Sequence, residues 1–272
     1  MSDTEKLLRE LIALPSVNPA FLPPKDPRAG EGRMADFLAA TAARAGLEVE
    51  FQTVFPNRAN FFARLEPRSK ATRRVLLAPH LDTVVGTDGQ FIPRKEHGKI
   101  FGRGACDTKG SVAAMLGAIS DLAKGGRRPA ETEIVFAGLV DEENGQAGSR
   151  MLANSGWKAD LAIVGEPTQL KVITAHKGSL WLRLEARGKA AHGACPELGR
   201  NAIHEMAKVV NFLETKYAGQ LRKQRHPLLG SPTVSVGVIR GGTQANIVPD
   251  RCEILVDRRT LPGETEAGVS HD

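Results

Sequence analysis

Near-continuous apolar runs such as Val75-Leu76-Leu77-Ala78 and Ile134-Val135-Phe136-Ala137 fit strands at the centre of a sheet covered on both faces. That requirement constrains the fold more than any other feature of the chain. The covering helices are legible. Leu7, Leu8, Leu11 and Ile12 recur at helical spacing behind a capping-box pattern, Ser2 and Glu5, and the helix is expected to run to Leu14, where Pro15 breaks it. Residues 18–32, with Pro19, Pro23, Pro24 and Pro27, read as a loop. Met34, Phe37 and Leu38 mark a second amphipathic helix that should end at Gly46 as a C-terminal cap.

Strands and helices then alternate. Residues 47–54, 59–65 and 74–79 read as strands, 108–123 as a helix, 133–140 as a strand, 148–154 as a short helix and 161–164 as a strand. After His176 the character changes, and residues 179–186 alternate apolar and polar as a half-exposed strand does. A long helix over 201–217 and strands at 233–239 and 251–259 follow. The expectation is an α/β domain, residues 1–176, and a smaller α+β domain, residues 177–272.

The chemistry sits directly behind the buried strands. One strand leads into Pro79-His80-Leu81-Asp82, a second into Asp141-Glu142-Glu143 and a third into Gly165-Glu166-Pro167. A further loop, Gly102-Arg103-Gly104-Ala105-Cys106-Asp107-Thr108-Lys109-Gly110, opens a helix. In open α/β sheets ligands bind beyond the carboxyl ends of the strands, so these side chains should converge. Singly, each loop is commonplace: an acidic turn is usually only solvated. Together they imply a metal site, because clustered carboxylates are costly unless a cation compensates them. Gly102-x-Gly104 lacks the third glycine of a dinucleotide fingerprint and does not match phosphate-loop spacing.

Other classes are poorly supported. The formal net charge of +6 is read first as an ordinary solvated surface and second as attraction for a small anionic substrate. Nucleic acid is not an expected partner, since Lys and Arg are scattered, aromatics do not interleave with them and no binding motif occurs. Three widely spaced cysteines, Cys106, Cys195 and Cys252, exclude a disulfide framework and argue against a thiolate zinc finger. Cys106 is read as a small packing residue, and His97, His204, His226 and His271 as surface or packing residues. No apolar run approaches the roughly 20 residues of a membrane span, so no membrane partner is expected and a cytoplasmic location is.

In this order, His-x-Asp, Gly-Arg-Gly-x-x-Asp-x-Lys-Gly, Asp-Glu-Glu and Gly-Glu-Pro give the chain a clear resemblance, over residues 7–262, to the zinc family of acetylornithine deacetylase, succinyl-diaminopimelate desuccinylase, aminoacylase and carboxypeptidase G. Gly104-Ala105-Cys106-Asp107-Thr108-Lys109-Gly110 looks most like the acetylornithine deacetylase branch. The resemblance implies a zinc-peptidase-like mixed sheet flanked by helices, with an inserted α+β lid through which two chains dimerise. It implies two zinc ions per complete subunit, replaceable by cobalt or manganese. His80 and Glu166 would bind the first ion, Glu143 the second, and Asp107 would bridge them. Asp82 would hydrogen-bond the far nitrogen of His80, and Glu142 would be the general base for hydrolysis of an amide in N-acyl amino acids or small peptides.

The lid motif around Gly188-Lys189-Ala190-Ala191-His192-Gly193 gives His192 an oxyanion role in a neighbouring subunit's site. The segment Gly241-Gly242-Thr243-Gln244-Ala245-Asn246 resembles the substrate-carboxylate loop, with Asn246 as a contact and Arg259, rather than Arg258, as its arginine. Against the family pattern the chain stops before the final histidine of the second zinc, and His271 comes too early to replace it. The expectations are therefore an incomplete catalytic sheet with exposed apolar surface, one zinc held well and a second poorly, and weak hydrolysis or none. The alternative is a truncated, non-catalytic metal-binding or dimerising paralogue.

Overall fold

The structure is a computed structural model and describes residues 3–271. The Ser2 half of the expected capping box lies outside those residues. Two compact units divide between Leu170 and Lys171, within the irregular segment that precedes the first strand of the second unit.

In the first unit, helix α1 (Asp3–Ile12) buries Leu7, Leu11 and Ile12, and α2 (Gly32–Arg44) buries Met34, Ala35, Leu38 and Ala42. Gly46 follows α2 with φ +82°, the left-handed conformation that a C-terminal cap glycine adopts without strain. Strands β1 (Glu48–Phe55), β2 (Arg58–Leu65) and β3 (Arg73–Ala78) come next, then a small hairpin, β4 (Arg94–Glu96) and β5 (Lys99–Phe101). Helix α3 (Lys109–Lys124), β6 (Thr132–Gly138), α4 (Ala147–Asn154) and β7 (Leu161–Val164) complete the unit. The main sheet has the order β1-β2-β6-β3-β7. It is mixed: β6 pairs antiparallel with β2 and parallel with β3, and β3 pairs parallel with β7.

Both faces of β6 are covered. Phe136 joins one apolar cluster with Leu11, Leu38, Phe61 and Leu116, while Val135 and Ala137 join another with Phe62, Leu76 and Leu152. This is why its sequence is apolar without alternation. At the sheet edge β7 leaves Leu161, Ile163 and Val164 exposed. Among the described residues no helix is long and apolar enough to cross a membrane.

Lys109, at the start of α3, is fully buried, and its Nζ donates 2.8 Å bonds to the carbonyls of Leu11, in the last turn of α1, and Leu14, just beyond it. Burial, with Arg33 nearby, lowers its pKa to about 7. Lys109→Met removes the donor from two carbonyls and should cost about 1–3 kcal/mol in urea unfolding. An unchanged midpoint would show that these bonds add no net stability.

The second unit contains β8 (Gly178–Arg187), β9 (Ala191–His192), α5 (Ala202–Phe212), a π-helical turn (Leu213–Tyr217), α6 (Ala218–Leu221), β10 (Thr233–Gly241), β11 (Ile247–Val248), β12 (Arg251–Thr260) and α7 (Glu266–His271). Its main sheet has the order β10-β12-β8, all antiparallel. Cys252, Ile254 and Val256 alternate along β12 and bury against Ala202 and Met206 of α5. Asn201 caps α5, its Oδ1 accepting the amides of Ile203 and His204.

Candidate metal centre

Because β3, β6 and β7 run parallel, their carboxyl ends open on one edge of the sheet, and the acidic loops start there. His80 lies just past β3 and is tied to the extension of β6 by the bonds Leu81 N–H to Leu139 C=O, 2.7 Å, and Leu139 N–H to Pro79 C=O, 3.0 Å. Alternation then turns Leu81 into the apolar core and leaves His80 and Asp82 buried as polar neighbours. The Asp107 loop is shaped by Gly104, whose φ is +77° and where a Cβ would lie 2.9 Å from the side chain of Thr83. Thr108 donates its hydroxyl hydrogen bond to the carbonyl of Gly165, joining the Asp107 loop to the Glu166 loop.

Carboxylates converge on one imidazole nitrogen. His80 Nε2 lies 2.9 Å from Asp107 Oδ1, 3.9 Å from Glu166 Oε1 and 4.0 Å from Glu142 Oε2. Ligand atoms of His80, Asp107 and Glu143 all fall within 4.8 Å of one another. Tetrahedral zinc with bonds near 2.1 Å holds its ligands about 3.4 Å apart, so small side-chain adjustments suffice. Asp107 and Glu143 also line a cleft of about 200 Å3 with Val84, Arg103 and Cys106. Cys106 is exposed rather than packed, which corrects the sequence-based reading, because the loop turns its thiol outward beside Asp107.

The role of Asp82 also needs correction. The nearest acceptor for His80 Nδ1 is the backbone carbonyl of Asp82, at 3.0 Å, and the Asp82 carboxylate lies farther away at 3.6 Å. That carboxylate instead accepts the amides of Glu142 and Glu143, each at 3.0 Å, and the side-chain amide of Asn18 at 2.7 Å. It thus acts on the acidic loop as much as on the imidazole.

The electrostatics suit a cation. Burial favours the neutral ring of His80, but its hydrogen bond with Asp107 and the close carboxylates of Asp82 and Glu166 outweigh it and push the pKa up to about 11. Burial first, then neighbouring carboxylates, with Asp107 among them in each case, push Glu143 and Glu166 up to about 7. Burial opposes ionisation of Asp82 too, yet the close His80 ring and the bonds from Asn18 and the Glu143 amide hold it below the usual carboxylate range. Nitrogen and oxygen donors crowded this way fit zinc, which competes with protons for the same atoms.

A pH dependence follows. Glu143 and Glu166 have folded pKa values above the unfolded 4.5, so their stabilising contribution is full below pH 4.5 and lost as pH rises through about 7. The lowered pKa of Lys109 acts above pH 7 and does not oppose this. With a chelator present, stability should decline between pH 4.5 and 7, and saturating zinc should abolish that decline. Identical pH profiles with zinc and with chelator would contradict this electrostatic account.

The second unit holds the remaining candidates. β9 pairs with β11, setting His192 opposite Ile247, and Gly193 N–H donates to Asn246 C=O at 2.7 Å. The fold therefore joins the His192 and Asn246 loops. Arg259 is exposed and pairs with Asp257 at 2.8 Å, whereas Arg258 is fully buried, bonded to Glu264 and to Tyr217 Oη. Of the two, Arg259 is the one open to solvent.

Comparison with known proteins agrees with this architecture. A family model described as peptidase family M28 matches residues 60–211, and one described as a peptidase dimerisation domain matches residues 174–272. Acetylornithine deacetylase of Proteus mirabilis is 32% identical, the match covering 96% of this chain and 67% of the relative. The Myxococcus xanthus acetylornithine deacetylase is 31% identical over 99% of this chain and 71% of its own length. Among solved structures, a Staphylococcus aureus tripeptidase superposes with TM-score 0.72 at 21% identity, covering 99% of this chain and 69% of that one. An M20 family metallo-carboxypeptidase of Sulfolobus solfataricus gives TM-score 0.72 at 19% identity, covering 100% and 74%. With the clustered ligands of the first unit and relatives that match across both, the chain belongs to the M20 family of metal-dependent peptidases and amidohydrolases, and within it is acetylornithine deacetylase-like.

Proposed function

We propose that the chain hydrolyses the amide bond of N-acyl amino acids or small peptides, in the manner of a deacetylase or desuccinylase, with two zinc ions and Glu142 as general base. The observation that carries this reading is the convergence of Asp107, Glu142 and Glu166 on His80 Nε2, with Glu143 in the same cluster. When bound, zinc acidifies a water and polarises the scissile carbonyl. His80, Asp107 and Glu166 are the proposed holders of the first ion, and Asp107 and Glu143 contribute to the second; cobalt or manganese suits the same donors.

Glu142 takes a proton from the attacking water and returns it to the leaving amine. His192, exposed at the end of a short strand, is the proposed oxyanion donor for a partner subunit, while Asn246 and Arg259 hold the substrate carboxylate. Dimerisation through residues 174–272 is in keeping with the matched domain.

The test is a zinc-loaded assay on N-acetyl and N-succinyl amino acids and dipeptides. Amine release should stop with chelator and return with zinc, cobalt or manganese. Hydrolysis indifferent to chelator would refute the reading. Zinc binding and dimerisation without hydrolysis would leave the metal-binding, non-catalytic alternative.

A further inference from the structure

Glu142 and Glu143 belong to a cluster of carboxylates, with Asp107 and Glu166, around the single ring of His80, and like charges this close repel. Something must hold the Glu142–Glu143 loop inward. The loop begins at Asp141 with φ +68°, a left-handed conformation that few non-glycine residues adopt. Four side chains hold it, those of Arg58, Glu31, Asn18 and Asp82. Arg58 bonds Glu31 in a two-pronged pair, 2.8 and 2.7 Å, and reaches Asp141 at 3.1 Å. Glu31 also accepts the Asp141 amide at 3.2 Å.

The link from this clamp to the centre is Asn18. It is fully buried, and its Nδ2 donates to Asp82 at 2.7 Å and to Asp141 at 3.0 Å. Its Oδ1 accepts the Ala20 amide, which fixes which end of the amide faces the carboxylates. Its backbone is tied to Thr83, one residue beyond Asp82, by a 2.9 Å bond. Asp82 in turn holds the amides of Glu142 and Glu143.

We infer that Asn18 is a positioning residue of the metal centre: by donating to Asp82 and Asp141 at once, it locks the two carboxylates that hold the Glu142–Glu143 loop against His80. No other side-chain type of this size supplies two donors from one nitrogen without adding charge. The inference rests on the proposed reading of Glu143 as a ligand and Glu142 as the base.

The isosteric Asn18→Asp removes both donors and sets a third carboxylate between Asp82 and Asp141, with His80, Arg58 and Glu31 as the nearest other charged groups. Zinc affinity, measured by competition with a chromophoric chelator, should fall about 10–100-fold, as loss of an outer partner does. Hydrogen exchange at the Glu142 and Glu143 amides should quicken at least about tenfold while amides of α2 and β6 keep their protection. Leu38→Ala, a core change in α2, controls for general loosening and should leave zinc affinity unchanged. Asn18→Ser adds no charge and should move both readouts in the same direction, which keeps the inference testable if Asn18→Asp does not fold.

Unchanged zinc affinity in the folded Asn18 variants would overturn the inference, with or without faster exchange. So would an equal loss in Leu38→Ala. Neither readout uses hydrolysis, so absence of amidase activity in the parent protein would sink the proposed function and leave this inference standing.

Discussion

Glu142→Gln in the zinc-loaded protein is expected to lower amide turnover by about 100- to 10,000-fold, with zinc content unchanged. The amide is nearly isosteric with the carboxylate but cannot accept the water's proton. Glu142 Oε2 is within 4.0 Å of His80 Nε2, close enough to reach a water held at the cluster, while Asp107 and Glu143 supply the other cluster ligands. KM should change little, because the lost interaction belongs to the transition state. Loss of zinc together with turnover would instead make Glu142 a ligand.

Much of this site is legible in the sequence because the strands that carry it are legible. Val75-Leu76-Leu77-Ala78 and Ile134-Val135-Phe136-Ala137 have only one comfortable place in a sheet, and the loops behind them must then open on a common edge. What escapes is the partnership of residues far apart in the chain. Asn18 precedes Pro19 in a loop, and nothing local marks it as the donor that joins Asp82 to Asp141. Glu31 and Arg58 look like ordinary surface charges until α2 and β2 bring them together. The β4–β5 hairpin has too few apolar residues to show a period, and the π-helical turn after α5 leaves no sequence mark. The sequence suggests Asp82 as a partner of His80, but its carboxylate bonds are to Asn18 and two backbone amides, which sequence does not display.

His80→Ala should have the second large effect. It removes the imidazole on which the cluster converges, so zinc affinity should fall by more than the roughly 10–100-fold typical of losing an outer partner. Stability should fall as well, because the buried ring's bonds to the Asp82 carbonyl and the Asp107 carboxylate are lost, along with its attraction to the Asp82 carboxylate 3.6 Å away. Because Asp82 keeps its bonds from Asn18 and the Glu142 and Glu143 amides, the loss should be about 1.5–3 kcal/mol, the range for a hydrogen bond to a charged group. The sign depends on pH: the folded pKa of about 11 exceeds the unfolded 6.5, so without metal the contribution is full below pH 6.5 and gone above about 11. Urea unfolding of parent and variant in chelator should therefore differ most near pH 6 and converge toward alkaline pH. A constant difference would mean that His80 stabilises by packing alone.

The proposed function stands on a cation held in the first unit by nitrogen and oxygen donors that include His80. Zinc-edge X-ray absorption on the loaded protein tests it most directly, since the exposed Cys106 lines the same cleft and offers a competing sulfur. The expected spectrum has nitrogen and oxygen neighbours at about 2.0–2.2 Å and an imidazole signature that disappears in His80→Ala. A sulfur neighbour near 2.3 Å, or a spectrum indifferent to the loss of His80, would contradict the account.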